Sequence, residues 1–122
     1  MDPKTLKPTL RREVVARVRT LDPARRAAEQ AALAAAFPTL PGLDGAEWVL
    51  LYATAFPEEI DTGPFLKWVL DNGRRLVCPG VDLAARRLRL YRIEHPDRDF
   101  VPGVLNIPEP RPDCPSVEPR QI

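Results

Sequence analysis

Residues 47–79 decide the fold, and they read EWVLLYATAFPEEIDTGPFLKWVLDNGRRLVCP. The stretch begins with an almost continuous apolar run, Glu47 to Ala53, which is typical of a central strand covered on both faces. Asp61-Thr62 is predicted to cap a helix that ends at Asn72-Gly73. Arg74 to Pro79 predicts a second strand. A strand, a helix and a strand within about thirty residues form a βαβ unit, which implies a parallel strand pair.

Two helices are predicted before this unit and one strand after it. Apolar residues three and four apart predict an amphipathic helix over Thr5 to Leu21, regular from about Pro8 onward. Asp22-Pro23 is a helix-start signal for the alanine-rich run Ala24 to Phe37. Leu88 to Glu94 alternates apolar residues with arginines and predicts a third strand.

The fold class is therefore α/β, with two leading helices and a small parallel or mixed sheet. A buried parallel sheet needs cover on both faces, and the predicted helices suffice for little more than one. We therefore expect residues 1–122 to form a single, incomplete α/β domain. Six prolines lie between Pro102 and Pro119, so residues 111–122 are expected to be an irregular tail.

Composition disfavours several classes of function. The net charge is +1, which gives no global basic field for nucleic acid. No apolar run approaches the roughly 18 residues of a membrane span, so we expect no membrane partner. Cys78 and Cys114 lack metal-ligand spacing and are expected to be reduced thiols of a cytoplasmic protein. A single histidine, His95, disfavours a histidine-based metal site.

Open α/β sheets bind ligands beyond the carboxyl ends of their strands, which here selects Ala53 to Thr62 and Cys78 to Asp82. The first segment carries Glu58 and Glu59, which alone would indicate a solvated acidic turn before a helix. Lys7 and Arg11 lie four apart, so a helix presents both cations on one side. Such a pair can bind a polyphosphate, although an ordinary solvated helix face has the same pattern.

Five short motifs follow one another in a specific order. They are Lys7-x-x-Leu10-Arg11, Val49-Leu50-Leu51-Tyr52, Glu59-Ile60-Asp61-Thr62, Gly73-Arg74-Arg75-Leu76-Val77-Cys78-Pro79 and Gly103-x-x-Asn106-Ile107-Pro108-Glu109-Pro110. Each motif is weak alone, but the ordered set resembles the 5-formyltetrahydrofolate cyclo-ligase family, also called methenyltetrahydrofolate synthetases. The likeness extends from about Lys7 to Pro110.

The resemblance implies a three-layer α/β fold of the NagB/RpiA/CoA-transferase type, truncated in this chain. It also implies small-molecule substrates: 5-formyltetrahydrofolate and ATP, with magnesium, become 5,10-methenyltetrahydrofolate, ADP and phosphate. In that reaction the formyl oxygen takes the γ-phosphoryl group of ATP. The second folate nitrogen then attacks the activated carbon, and phosphate leaves.

The resemblance also implies roles for individual residues. Lys7 and Arg11 match the family's ATP-binding pair, which neutralises phosphate charge. Glu59 matches the substrate-binding glutamate, and Ala53 matches a second folate-contacting position. The loop before Glu59 is about one residue longer than usual, and the neighbouring Glu58 allows a shifted alignment. Asn106 stands where the family usually has glycine and is expected to tolerate a left-handed backbone there, in a loop interpreted as structural.

The family continues with a glycine-rich Gly-x-Gly-Gly-Gly-Tyr-Tyr-Asp loop that holds the phosphates and leads into the magnesium ligands, and nothing after Pro110 matches it. We therefore expect a truncated cyclo-ligase that is inactive or nearly so, with no metal ligands of its own. One alternative is a non-catalytic α/β module that binds a nucleotide or a partner. Another uses the arginine-rich first helix to contact nucleic acid, against which the near-neutral charge argues.

Overall fold

The computed structural model describes residues 2–122 and, among them, every side chain except that of Val104. In chain order the elements are α1 (Pro3–Arg19), α2 (Pro23–Ala36), β1 (Trp48–Leu50), α3 (Gly63–Asp71), β2 (Arg75–Asp82), β3 (Arg87–Ile93), α4 (Pro96–Asp99), β4 (Phe100–Pro102), β5 (Pro108–Pro110) and β6 (Ser116–Val117), with 3-10 turns at Phe37–Thr39, Val104–Asn106 and Pro119–Gln121. No helix in residues 2–122 is long and apolar enough to cross a membrane.

The strands form a mixed sheet in the order β1-β2-β3-β6 and a separate hairpin of β4 and β5. β1 and β2 are parallel, with Trp48 opposite Arg75 and Leu50 opposite Val77. The backbone N–H of Leu51 extends this pairing by donating to the Val77 carbonyl at 3.0 Å. Because α3 connects these two strands, the predicted strand–helix–strand unit and the α/β class are confirmed.

The core lies on one face of the sheet, beneath α3. Its buried members are Phe37, Leu43, Val49, Leu66, Val69, Leu76, Cys78 and Ile93. Phe37, just after α2, stacks on Phe65 of α3 with ring centroids 4.7 Å apart and meets the Trp68 ring edge-on at 5.6 Å. These rings join the second helix to the α/β unit through apolar contact.

The opposite face of the sheet is only partly covered. Strand alternation and register place Leu50, Val81 and Leu88 on this face, and they are 46%, 45% and 62% exposed. Only Val77 and Val117 among its apolar residues are buried in the described part of the chain. The expectation that the helices cover little more than one face is therefore met.

The first helix begins earlier than predicted. α1 starts at Pro3, where the Asp2 side chain accepts a hydrogen bond from the Lys4 N–H at 3.2 Å, and Pro8 lies inside the helix. Pro8 is tolerated there because the bond that it removes would have gone to the carbonyl of Lys4, which is solvent-exposed and can bind water.

Residues 111–122 differ from the irregular tail that the sequence predicts. They contain β6, which pairs antiparallel with β3 so that Val117 lies opposite Leu90 and is buried. The backbone N–H of Arg92 also donates to the Pro115 carbonyl at 2.8 Å. A strand of two residues is too short to show a period of two, and the prolines beside it suggest irregular structure. Pro115 is tolerated there because it takes part in the pairing through its carbonyl, which needs no N–H.

We expect Leu76→Ala to lower the free energy of unfolding by about 2–5 kcal/mol, because Leu76 is fully buried and its truncation leaves a cavity. Leu83→Ala is the matched control: Leu83 is 67% exposed, and its loss should change stability by less than about 0.5 kcal/mol. Urea unfolding measures both. Equal losses for the two variants would contradict the described core.

Candidate functional site

The loop of residues 51–62, here called the β1–α3 loop, leaves the sheet at the edge where open α/β folds bind ligands. Two threonines close it. The buried Thr62 hydroxyl donates to the Tyr52 carbonyl at 2.7 Å and accepts from the Thr54 N–H at 3.1 Å. The Thr62 N–H in turn donates to the Thr54 hydroxyl at 2.8 Å, and that hydroxyl donates to the Ile60 carbonyl at 2.6 Å.

This threonine pair corrects one sequence-based assignment. Asp61 and Thr62 were both expected to cap α3. The Asp61 carboxylate does so by accepting from the Gly63 N–H at 2.9 Å. Thr62 occupies the position before the helix, but its hydroxyl makes no capping bond and closes the loop instead. Helix-start residues look alike in sequence whether their hydroxyl serves the helix or the preceding loop.

The Glu59 carboxylate forms hydrogen bonds with backbone groups inside the same loop. Its Oε1 atom accepts hydrogen bonds from the backbone N–H groups of Ala55, at 3.0 Å, and Phe56, at 2.7 Å. Two charge-assisted bonds to neighbouring amides give the loop a defined turn. Glu59 is therefore a structural element of the loop as well as a lining residue of the adjacent groove.

The hydrogen bonding of Glu58, the neighbouring carboxylate, differs from that of Glu59. Its side chain is only 18% exposed, and its buried Oε2 atom has no hydrogen-bond partner among the described residues. The guanidinium of Arg19 lies 3.6 Å away, beyond hydrogen-bonding distance but close enough for charge attraction. Since most buried polar atoms in proteins have a partner, an oxygen without one requires an explanation.

These residues line a groove of about 550 Å³ between the β1–α3 loop, α2 and the end of α1. Its apolar lining includes Val18, Leu21, Leu33 and Ile60, and its charged lining includes Arg19, Arg26, Glu29, Glu58, Glu59 and Asp61. The volume is within the range of small-molecule sites.

Side chains of α2 form hydrogen bonds with the β1–α3 loop on both sides of Glu58. The Arg26 guanidinium donates to the Pro57 carbonyl at 2.8 Å. The Gln30 side chain donates to the Asp61 carbonyl at 2.7 Å and accepts from the Asp61 N–H at 3.0 Å. Sequence reasoning missed Arg26 and Gln30; their spacing of four, which places both on one side of α2, was the available signal.

Of the predicted site residues, only some lie at the groove. Glu59 lines the groove, whereas Ala53 is half-buried beside it and does not line it. Lys7 and Arg11 are exposed on α1, outside the groove. They precede the groove-lining Val18 by three and two helical turns, so they lie on its side of α1, about 16 and 10 Å along the axis.

The second predicted segment, Cys78 to Asp82, does not contribute to the groove. Cys78 packs in the core, and burial raises the pKa of its thiol to about 12, so it carries no thiolate at neutral pH. Hydrogen bonds from the Ala85 N–H and the Arg89 guanidinium hold the pKa of Asp82 below its usual value and fix the β2–β3 turn. Within residues 2–122, no group of three or more His, Cys, Asp or Glu side chains could hold a metal ion.

Comparison with solved structures shows a clear likeness to a known enzyme. No protein-family model and no curated protein sequence matches the chain. The NMR structure of 5,10-methenyltetrahydrofolate synthetase from Aquifex aeolicus matches it with a TM-score of 0.77 and 26% identity over 96% of this chain. The predicted resemblance to the cyclo-ligase family is confirmed. The likeness covers 57% of the synthetase chain, so this sequence spans little more than half of that protein's length.

We expect Thr62→Val to destabilise the protein by about 1–3 kcal/mol, because it leaves the Tyr52 carbonyl and the Thr54 N–H without a partner beneath the loop. Thr62→Ser keeps the hydroxyl and is the control. Urea unfolding and hydrogen exchange at the Thr54 amide report the change. Faster exchange in the Ser variant than in the Val variant would show that the hydroxyl does not close the loop.

Proposed function

We propose that this chain carries substrate-binding elements of an enzyme that converts 5-formyltetrahydrofolate to 5,10-methenyltetrahydrofolate with ATP. The reaction closes a ring by forming a C–N bond and belongs to folate one-carbon metabolism. The observation that carries the proposal is the structural likeness to a 5,10-methenyltetrahydrofolate synthetase over 96% of the chain. The groove beside the β1–α3 loop supports it by supplying a site of suitable size. We propose a cytoplasmic location, in line with the two free cysteines.

We propose that Lys7 and Arg11 bind the phosphates of ATP. Both are exposed, and their spacing of four presents two cations along the groove side of α1. Arginine can contact a phosphate through two N–H groups, and lysine adds a compact charge. Magnesium would accompany ATP. Among the described residues, no cluster of ligands for it is present.

We propose that the folate binds at the groove, with Glu59 and Ala53 in the substrate-side positions that the resemblance gives them. The apolar side chains Val18, Leu21 and Ile60 offer contact area for a flat ring. Glu59 supports this site by fixing the turn at Ala55 and Phe56. Ala53 contributes to this site through its backbone, which connects Tyr52 at the end of β1 to the hydrogen-bonded Thr54 and Thr62.

The first test measures nucleotide binding. We expect the double variant Lys7→Ala/Arg11→Ala to bind a non-hydrolysable ATP analogue at least about tenfold more weakly by isothermal titration calorimetry, since two charge-assisted contacts are lost. The control, Arg12→Ala/Arg17→Ala, removes two cations from other sides of the same helix and should lose less than about threefold. Equal losses in the two variants would show that general charge, and not this pair, attracts the nucleotide.

The second test measures turnover. The sequence contains no Gly-x-Gly-Gly-Gly-Tyr-Tyr-Asp loop, and positioning and charge stabilisation carry most phosphoryl-transfer catalysis. We therefore expect the 122-residue polypeptide to form little or no methenyltetrahydrofolate from 5-formyltetrahydrofolate and ATP, as measured by the absorbance of the product. Turnover comparable to that of the Aquifex aeolicus synthetase would overturn this expectation.

A second candidate is a non-catalytic module that binds a protein partner. The partly uncovered sheet face with Leu50, Val81 and Leu88 favours it, because exposed apolar patches mark interaction surfaces. Ligand binding separates the candidates: a partner-binding module would bind neither ATP nor 5-formyltetrahydrofolate.

A further inference from the structure

Strand β1 is parallel to its neighbour and lies at an edge of the sheet. It pairs with β2 on one side, and the strand order gives it no second neighbour among the described residues. Parallel strands usually lie inside a sheet and are covered on both faces. The run from Glu47 to Ala53 has the near-continuous apolar composition of such a strand. A strand with the composition of a central strand therefore occupies an edge.

The outer edge of β1 presents backbone groups that can bond a further strand. The Glu47 carbonyl and the Leu51 N–H both bond to β2, at 2.8 and 3.0 Å. Because alternate residues of a paired strand bond to opposite sides, the N–H and C=O groups of Trp48 and Leu50 point away from β2. These four groups have no backbone partner within residues 2–122. Such a row of unpaired groups is a template for strand addition.

The sheet face away from α3, here called the open face, adjoins this edge. Its apolar side chains Leu50, Val81 and Leu88 are about half exposed. Trp48 also lies on it, half-buried, with the Arg75 guanidinium 4.8 Å from its ring centroid. The outer edge of β1 and the open face meet at Trp48 and Leu50, so one partner can cover both.

The charges on the open face lie at one end. Strand alternation places two charged strand residues on this face, Arg75 and Arg92, both near the start of β2. Val81 lies opposite Leu88 at the other end. The Arg92 guanidinium is 3.8 Å from the Glu94 carboxylate, a weak exposed ion pair. A complementary helix therefore has an apolar stripe and carboxylates toward the start of β2.

Two observations separate the possible occupants of this surface. A second copy of the chain presents the same two arginines on its own open face, so stacking the two faces brings like charges together. The Aquifex aeolicus synthetase instead contains a segment without a counterpart in this sequence, since the likeness covers 96% of this chain but 57% of the synthetase chain. A segment of that kind is the better fit.

We propose that the outer edge of β1 and the open face bind a polypeptide segment that completes the α/β domain. The segment adds a parallel strand beside β1 and lays a helix on the open face, with carboxylates near Arg75 and Arg92. The added strand borders the carboxyl end of β1, where open α/β sheets bind ligands, and so forms a second wall beside the β1–α3 loop. This inference rests on the fold and does not depend on the proposed folate function.

The test joins the unmatched segment of the Aquifex aeolicus synthetase to Ile122 through a flexible glycine–serine linker. The linker keeps the segment at an effective concentration of about a millimolar, so that a weak interface is also detected. Hydrogen exchange at the amides of Trp48 and Leu50 is compared in this fusion and in the 122-residue chain. We expect exchange at least about tenfold slower in the fusion, because both amides gain a strand partner.

Two variants of the fusion test where the segment binds. Leu50→Lys places a charge at the outer edge and on the open face, and it should return the exchange of the Trp48 amide to the rate in the unjoined chain. Leu83→Lys makes the same change in the β2–β3 turn, at a side chain that is 67% exposed, and should leave the protection in place. Equal loss of protection in both variants would count against binding at this surface.

The remaining outcomes also decide the matter. Exchange that is the same in the fusion and in the unjoined chain overturns the inference, even if the joined segment stays unfolded, because a complementary surface folds that segment as it binds. Protection that is already present in the unjoined chain and rises with its concentration, together with the mass of a dimer, overturns it in favour of a second copy. Neither result involves folate or nucleotide, so the proposed function is unaffected by both.

Discussion

The packing of α3 against the first half of β2 is the constraint on which the rest of the structure depends. Leu76 and Val69 are fully buried there, and β2 is the strand that pairs with both β1 and β3. The parallel β1–β2 register sets the direction in which the β1–α3 loop leaves the sheet. The antiparallel β2–β3 register places β3 where β6 can join it. One buried strand therefore orients both the candidate site and the far edge of the sheet.

The groove is built on this platform by a different kind of interaction. The core is apolar, but the β1–α3 loop is shaped by hydrogen bonds between Thr54 and Thr62, by the Glu59 carboxylate and by the side chains of α2. Such bonds are directional, so they specify the path of the backbone in a way that apolar contact does not. The result is a loop whose two carboxylates, Glu58 and Glu59, differ in hydrogen bonding although they are neighbours in sequence.

Whether the sequence predicts a feature depends on how far apart along the chain the interacting residues lie. The βαβ unit and the first two helices depend on local periodicity, and all of them are present. The pairing of Thr54 with Thr62, and of Gln30 with Asp61, depends on chain closure over longer separations and has no periodic signal. The different states of Glu58 and Glu59 are likewise invisible, because no period governs side-chain direction in a loop.

A similar limit applies at the C-terminal end and in the hairpin of β4 and β5. Asn106 was expected to tolerate the left-handed region and has φ 59°, but the neighbouring Leu105 has φ 55° without any sequence signal. The two residues of β6 are revealed only by the burial of Val117 against β3. At β6 the contact of Val117 with β3, and not local preference, determines the structure.

Helix α1 contains no buried residue, although all its residues lie in the described part of the chain, and Arg19 joins it to the loop by charge alone. An element held this weakly opens locally at little free-energy cost, so it fluctuates more than the sheet below. A ligand that touches both α1 and the groove must order this helix on binding. If nucleotide and folate share that task, whichever binds first reduces the entropy that the other must overcome. The weak attachment of α1 would then make the two binding events cooperative without any change in the core.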